Sequence, residues 1–341
     1  MSLSPPSEST RSSAGPLNIA AIESLADCAP DWIGIDQLAG RLGIDSRQLG
    51  RDLIDLEQFG FSVEHHPHYG LRYAGPAARL CPDQMEWHLN TRLIGRRIAV
   101  WNRVTSTNDL AMRAAHSKVN EGLVVFAEEQ THGRGRRGRR WEAPTGTGLL
   151  MSVLLFPPAK LRDPVLLTCL AAVAVCDTLE QSFNLAPRLK WPNDVQVDGR
   201  KVCGILVELA DGAVIGIGLN AGDRPKDFPA ELRATSTSVA ELIGEAVDRS
   251  LLARRLLQTL DQGYHQLGTQ GPEPLWRRWC ERAGLIGADV EIELGRERLS
   301  GVIKDIDAQG TLDLDPRDEP PRAVRLQHVL SLTVRAKPAD R

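Results

Sequence analysis

Two Asp-Gly pairs, Asp198–Gly199 and Asp211–Gly212, sit inside the stretch "VQVDGRKVCGILVELADGAVIGIGLN". Each is flanked by apolar, β-branched residues. An Asp-Gly step in that setting is the strongest short-range signal for a β-hairpin, because a two-residue primed turn needs positive φ at both central positions. Two such turns in succession commit residues 195–219 to antiparallel strands and exclude an all-parallel sheet. Further β-rich runs, "RIAVWNRV", "GLVVFAEEQ" and "GLLMSVLLF", are bounded by turn residues. Long helical patterns follow "FPP" and span 250–267. The class that satisfies all of these is α+β, with helices laid on a mixed or mainly antiparallel sheet.

At 341 residues, 42% hydrophobic and 25% charged, the chain has room for two or three domains and one sizeable core. Residues 1–16, "MSLSPPSESTRSSAGP", lack an apolar stretch and read as a disordered tail, not a signal peptide. In 17–75, Leu38, Leu42, Ile44, Leu49, Leu53 and Leu56 recur at the spacing of two helices joined by a tight turn at Gly43, with Asp45 or Ser46 capping the second. "FSVEHHPHYGLRYAG" follows as a hairpin, so this segment is expected to be a winged helix-turn-helix. Residues 76–84 break periodicity and read as a linker. Residues 85–284 form the large α+β unit, and 285–335, with turns at Gly295 and Gly310, a small β-barrel. The longest apolar run, "VLLTCLAAVAVC", is bounded by Asp163 and Asp177 and is too short to cross a membrane. Six cysteines lie scattered without a CxxC pair, and Cys169 and Cys176, seven apart in that apolar run, read as buried thiols. The expected compartment is the cytoplasm, with no membrane partner. Formal net charge is −3, so any contact with nucleic acid must come from a local basic face.

Three stretches hold chemistry-bearing residues. "GRGRRGRRW", 133–141, packs five arginines and three glycines into nine positions. Such a segment resists folding alone, since like charges repel and glycines add backbone freedom. Between two strands it suits a phosphate: guanidiniums hold oxygens bidentately, and glycines let amides approach closely. A solvated basic loop is the plainer alternative. No GxxxxGK[ST] is present, which excludes the usual NTPase loop. In "KWPNDVQVDGRKVCGILVEL", Lys190 and Lys201 flank a hairpin that begins with a Trp-Pro-Asn-Asp bend. Asp194 is either a turn residue or an oxygen ligand for Mg²⁺. Gly204, within an apolar strand, marks a close approach by ligand or backbone. In "VTSTND", Ser106, Thr107 and Asn108 either cap the next helix or hydrogen-bond a small polar ligand. No residues show metal-ligand spacing, so no resident metal is assigned.

In order and spacing, "STN", "AEEQTHGRGRRGRRW", "KWPNDVQVDGRKVCGILVEL" and "GIGLN" resemble the biotin protein ligases. With the N-terminal helices and hairpin, the chain resembles the bifunctional kind that is also a biotin operon repressor. The resemblance extends over nearly the whole chain after the tail. Two departures are His132, where a small residue is usual, and His65, His66 and His68 in a wing with few basic residues. The resemblance implies a class II synthetase-like central sheet and an SH3-like C-terminal barrel. It also implies an AMP-forming ligase: biotin and ATP give biotinoyl-5′-AMP and pyrophosphate, and the acyl group passes to a lysine of the biotin carboxyl carrier protein of acetyl-CoA carboxylase. By the same resemblance Ser106, Thr107, Asn108 and Gln130 contact biotin. Gly133, Arg134, Gly135, Arg136 and Trp141 form a loop closing over biotin and phosphate, Gly204 lines the site, and Lys201 reaches the acyl–phosphate junction. Lys201 and Arg136 are the implied catalytic cations. Lys190, Asn193, Asp194 and Asn220 lie on the ATP and Mg²⁺ side. Ser46, Arg47, Gln48 and Arg51 would face operator DNA, bound by an adenylate-dependent homodimer. Three alternatives stay open: a ligase whose winged helix no longer binds DNA, a lipoate-type ligase, and a metabolite sensor without catalysis.

Overall fold

The computed structural model describes residues 16–307, 309–316 and 320–335. The tail expected over 1–16 lies outside them apart from Pro16. Helices α1 (Ile19–Ala26), α2 (Ile35–Leu42) and α3 (Ser46–Phe59) precede strands β1 (Ser62–His66) and β2 (Gly70–Gly75), which pair antiparallel. Of the two candidate caps, Asp45 is the one used: its carboxylate accepts the Arg47 and Gln48 amides. Gly43 ends α2 at φ 68°, a conformation that suits glycine. Leu49, Leu53, Leu56 and Phe59 turn one stripe of α3 into a small core shared with Ile19, Ile22 and Leu38.

Residues 76–84, read as a linker, are closely packed. Leu80 and Cys81 are fully buried, and α4 (Pro82–Glu86) begins with Pro82. The Cys81 backbone amide donates to Ser250 Oγ (2.8 Å) and the Gln84 side-chain Nε2 to Asp248 (2.6 Å). A helix of five residues is too short to register as periodicity, so the sequence pattern there is blank.

The large unit then runs β3 (Arg97–Val104), α5 (Thr107–Ala114), β4 (Leu123–Gln130), β5 (Leu149–Leu155), α6 (Pro164–Phe183), β6 (Arg188–Lys190), β7 (Asp194–Val197), β8 (Arg200–Leu209), β9 (Ala213–Leu219), α7 (Val239–Ile243), α8 (Arg249–Gln270) and α9 (Glu273–Ala283). Its seven strands form one sheet in the order β3-β4-β5-β9-β8-β7-β6. The β3–β4 pair, joined through α5, is parallel; every other neighbouring pair is antiparallel. At the first Asp-Gly turn Asp198 and Gly199 both have positive φ, 50° and 74°. The second differs: Leu209 pairs with Ala213, leaving a three-residue loop. Gly212 is needed there for closeness, since a Cβ would lie 2.8 Å from the Leu155 carbonyl.

Helix α6 is longer than the apolar run bounded by Asp177, because that carboxylate is buried within it and bound by Arg278 and Arg282. By length and composition α6 could cross a membrane, but 78% of its most apolar window is buried inside the protein. It is a core helix, set between the sheet and helices α8 and α9. The chain continues through β10 (Asp289–Leu294), β11 (Glu297–Ile306), β12 (Thr311–Pro316), β13 (Arg322–Arg325) and β14 (Ser331–Val334). These pair antiparallel in the order β13-β12-β11-β10-β14 and share their core with Trp276 and Leu285.

Candidate functional site

Side-chain alternation sorts the sheet into two faces. Ile215, Ile217 and Leu219 of β9 point into the main core with Met151, Val153 and Phe126. Gly216 and Gly218 point the other way. The register sets Gly218 beside Gly204 and Leu150, and Gly216 beside Leu206 and Ser152. Helix α5 covers part of this second face through Ala111 and Ala114, packed against Val125 and Val214. Beside it the glycines leave a bare strip, and the Trp141 indole lies on it. A Cβ on Gly218 would come within 2.4 Å of that ring, and one on Gly204 within 2.8 Å.

Lys201 reaches this face through a bulge. Val195 pairs with Cys203 but Gln196 pairs with Lys201, so Val202 has no partner on β7. Without the extra residue Lys201 would point into the packed side. Its Nζ lies 2.7 Å from Asp194 Oδ1 and 5.3 Å from the centre of the Trp141 ring.

One end of the strip is polar and buried. Ser106 occupies the N-cap of α5, yet its side chain makes no capping bond. The cap comes instead from Gln130, whose Oε1 accepts the Thr107 amide (2.8 Å) and hydroxyl (3.1 Å). This corrects the expectation that the Ser-Thr-Asn run caps its own helix. The Ser152 hydroxyl bridges Thr107 Oγ1 (2.7 Å) and Asn108 Oδ1 (2.5 Å), and Asn108 Nδ2 donates to Glu208 (2.6 Å). Arg134 ties the root of the arginine loop down by reaching both Asp109 and Glu208. Burial alone would raise the Asp109 carboxyl; hydrogen bonds from Arg134 and Thr105 outweigh it and hold the group below the usual range. Glu208 in turn raises Arg134.

The loop closes as a narrow hairpin. The Trp141 amide donates to the Gly133 carbonyl (3.0 Å), and the Gly135 amide to the Arg139 carbonyl (2.7 Å). Gly133 is crowded: a Cβ there would lie 2.4 Å from the Trp141 carbonyl. Residues Arg136–Gly138 make a single 3-10 turn with Arg137 at φ 56°, and Arg137 donates to the Leu330 carbonyl (2.9 Å) in the C-terminal sheet. Partial burial, then the adjoining Arg137 charge, pull Arg136 below its ordinary value, with Asp194 opposing. Trp141 Nε1 is buried and has no hydrogen-bond partner among the described residues.

The structure thus gathers Thr107, Asn108, Gln130, the arginine loop, Trp141, Gly204, Asp194 and Lys201 around one strip. Lys190 is exposed, across the ladder from Asp194. The amide nitrogens of Asn193 and Asn220 are taken up by the Ile205 and Thr237 carbonyls, at 2.9 and 3.0 Å. On α3, Ser46 donates to Asp36 and Gln48 to Asp52, while Arg47 and Arg51 are exposed. Sequence reasoning passed over Ser152, Gly216, Glu208 and the bulge. The first two had signals: Ser152 is the one polar residue in "LLMSVLL", and glycines two apart in a strand empty one face.

Residues 100–220 match the Biotin/lipoate A/B protein ligase family. The chain is 30% identical over 303 residues to the bifunctional ligase/repressor BirA of Bacillus subtilis (strain 168), covering 87% of this chain and 93% of that protein. It is 36% identical over 249 residues to the biotin–[acetyl-CoA-carboxylase] ligase of Mycobacterium tuberculosis, covering 70% of this chain and 92% of that one. The chain belongs to the biotin protein ligase family. A biotin protein ligase from Aquifex aeolicus, solved in complex with biotin and ATP, superposes with a TM-score of 0.62 at 25% identity, covering 70% of this chain and all of that one. The span matched to the family includes every residue gathered at the strip and stops short of the loop that follows Asn220.

Proposed function

We propose that the protein is an ATP-dependent, AMP-forming biotin–[biotin carboxyl-carrier protein] ligase, in which the strip beside β9 is the site of both half-reactions. The observation that supports this most directly is the bulge at Val202, which sets Lys201 on a glycine floor between a buried polar end and an arginine loop. Thr107, Asn108, Gln130 and Ser152 suit the polar ring of biotin, and the unpartnered Trp141 Nε1 offers a further donor to a ligand. Gly204, Gly216 and Gly218 leave space for its apolar tail. A carboxylate oxygen of biotin attacks the α-phosphorus of ATP, and the bond to pyrophosphate breaks. Negative charge grows on phosphoryl oxygens, and Lys201 and Arg136 are the cations placed to stabilise it. The carrier lysine then attacks the acyl carbon, releasing AMP and a proton. Because the mixed anhydride hydrolyses readily, residues 133–141 serve as a lid that orders over the anion and excludes water.

No three carboxylates, histidines or cysteines cluster among the described residues as a metal site. Mg²⁺ takes one or two carboxylates together with substrate phosphates. Asp194, with Asn193 next to it in the chain, Asn220 just past the end of β9 and Lys190 across the ladder, would hold the ion and nucleotide; Mg²⁺ bound there would neutralise phosphate charge. Incubation with biotin, MgATP and a biotin carrier domain, read by mass spectrometry, tests the reading. Absence of both free biotinoyl-AMP and the biotinylated carrier would overturn it.

In the same reading 17–75 is a winged helix-turn-helix, 85–284 the class II synthetase-like unit and 285–335 an SH3-like barrel, all in the cytoplasm. The helix order, the antiparallel hairpin and the five-stranded C-terminal sheet support these assignments. A role as biotin-dependent repressor is supported by the likeness to a bifunctional ligase/repressor and by Arg47 and Arg51 exposed in the first half of α3. Four arginines in 17–75 stand against nine carboxylates, so one copy offers DNA few phosphate contacts. An adenylate-dependent homodimer doubles them. A gel shift on the protein's own upstream DNA, with and without biotin and MgATP, checks this; binding insensitive to both ligands and to Arg47→Ala/Arg51→Ala would remove the repressor role.

A further inference from the structure

Two loops border the strip, and their necks meet. The first, 131–148, joins β4 to β5 and contains the arginine segment. The second, 220–238, joins β9 to α7. Asp223 stands at the neck of the second: the Ser238 hydroxyl donates to its carbonyl, and the Val239 and Ala240 amides donate to the Asn220 and Ala221 carbonyls at 3.0 and 2.8 Å. The Thr147 hydroxyl, near the end of the first loop, shares its hydrogen between the Asp223 carboxyl and the Pro144 carbonyl (2.9 Å), the carboxyl being the nearer, and the Gly222 amide donates back to the Thr147 carbonyl at 2.8 Å.

Asp223 is fully buried, and its Oδ2 meets no hydrogen-bond partner among the described residues. Burial pushes its carboxyl up, the Thr147 hydrogen bond opposes this, and the charges of Asp227 and Arg249 act in opposite senses. A carboxyl sequestered in this way costs stability, and backbone bonds alone would close either loop. The remaining leg of the second loop runs along Lys201. The Lys201 amide donates to the Thr235 carbonyl (2.7 Å), and the Thr237 amide donates to the Lys201 carbonyl (2.9 Å). One continuous set of contacts therefore leads from the arginine loop through Thr147 and Asp223 to the strap on Lys201.

We propose that Thr147 and Asp223 are a positioning pair that makes the two loops order as one unit, so that a ligand held under the arginine loop also fixes the strand segment of Lys201. Which ligands the loops cover rests on the function proposed above; the mechanical tie between the loops does not. The pair acts through Lys201 and Arg136 and touches no reacting atom.

The test is trypsin digestion of the ligand-free full chain, following cleavage after the exposed Lys226 and Arg233 of the second loop. Thr147→Val, nearly isosteric and located in the first loop, should speed cleavage in the second about tenfold, the scale of one lost buried hydrogen bond. Thr147→Ser should keep the wild-type rate. Asp223→Val should likewise speed cleavage among Arg136, Arg137, Arg139 and Arg140, and the double variant should be no faster than the faster single. In the ligase assay Thr147→Val should raise KM for biotin and ATP together with kcat within about twofold. Unchanged second-loop cleavage in Thr147→Val, a serine variant that behaves like valine, or a KM shift confined to one substrate would each overturn the pairing. Wild-type protein that forms no adenylate would overturn the function while the protease comparison still decided the tie.

Discussion

The two faces of the seven-stranded sheet come from alternate residues of the same strands and are built to opposite specifications. On one face Ile215, Ile217, Val153 and Phe126 interlock with α6 and α8, each almost wholly buried. On the other, two of the intervening β9 residues are glycine, and what lies on them is the Trp141 ring, whose indole N–H has no partner among the described residues. Packing density makes the first face sensitive to the loss of a methyl group. Outside the patch under α5, the strip on the second face contributes little apolar burial, so changes along the strip should register in chemistry and leave folding nearly untouched. A single strand thus separates stability from function with a period of two.

The separation is broken most severely if the two kinds of change do not sort by face. Lys201→Ala, on the open face, should lower the rate of adenylate formation about 10²–10³-fold, as for loss of one positioned donor to developing charge. Its thermal midpoint should match wild type within a degree or two, since the Lys201–Asp194 pair is partly exposed and such pairs add little. Its mirror is Ile217→Ala, one residue before Gly218. That change should cost about 2–5 kcal/mol in urea unfolding while kcat/KM of the folded fraction stays near wild type. Should Ile217→Ala abolish adenylate formation at temperatures where it is folded, the faces are not independent.

Gly216→Ala sharpens the contrast with a smaller effect. A Cβ there would come 2.3 Å from Asn108 Oδ1, so Asn108 must move and release the Ser152 hydroxyl. KM for biotin should rise about tenfold, the cost of one buried polar contact, with kcat nearly constant. Steady-state kinetics at saturating ATP would show it. A fall in kcat with KM unchanged would mean that Asn108 acts on the reacting end and not on the bound ring.

Much of this division was legible beforehand. Asp198–Gly199 announced a primed hairpin and forms one, because both residues of a two-residue turn are named by the steric demand of positive φ. "GRGRRGRRW" announced a loop between two strands, since composition alone shows that the segment has no core of its own, and it stands between β4 and β5. What escaped notice depends on pairing between distant strands. The bulge that turns Lys201 over is a property of the β7–β8 register, and nothing in "GRKVCG" marks Val202 as the extra residue. The cap of α5 likewise comes from Gln130, on the neighbouring strand and 23 positions away, beyond the reach of local capping rules, which offered only Ser106, Thr107 and Asn108. Residues 76–84 were misjudged for a related reason: a short segment held by partners in 248–250 shows no period of its own.

That packed segment sets the gentlest test, which asks how much of the chain the open face requires. Leu80 and Met85 belong to the main core, and the Leu80 amide and Ala78 carbonyl bind the buried Glu128–Arg249 pair, linked at 2.8 Å. A chain lacking 1–76 keeps all of these and exposes only what faced the N-terminal core, Cys81 and Trp87 among them. Adenylate formation should then stay within about threefold of the full chain, as expected where two units have separate cores. A chain lacking 1–87 keeps the Glu128–Arg249 pair but strips one backbone hydrogen bond from each charge, and a buried hydrogen bond to a charged group is worth about 1.5–3 kcal/mol. Comparing the two truncations by thermal melting and by adenylate yield places the boundary of the catalytic unit. If the shorter deletion alone abolishes the adenylate while its melt remains cooperative, the N-terminal helices act on the open face directly, and the independence of that face from the rest of the chain is lost.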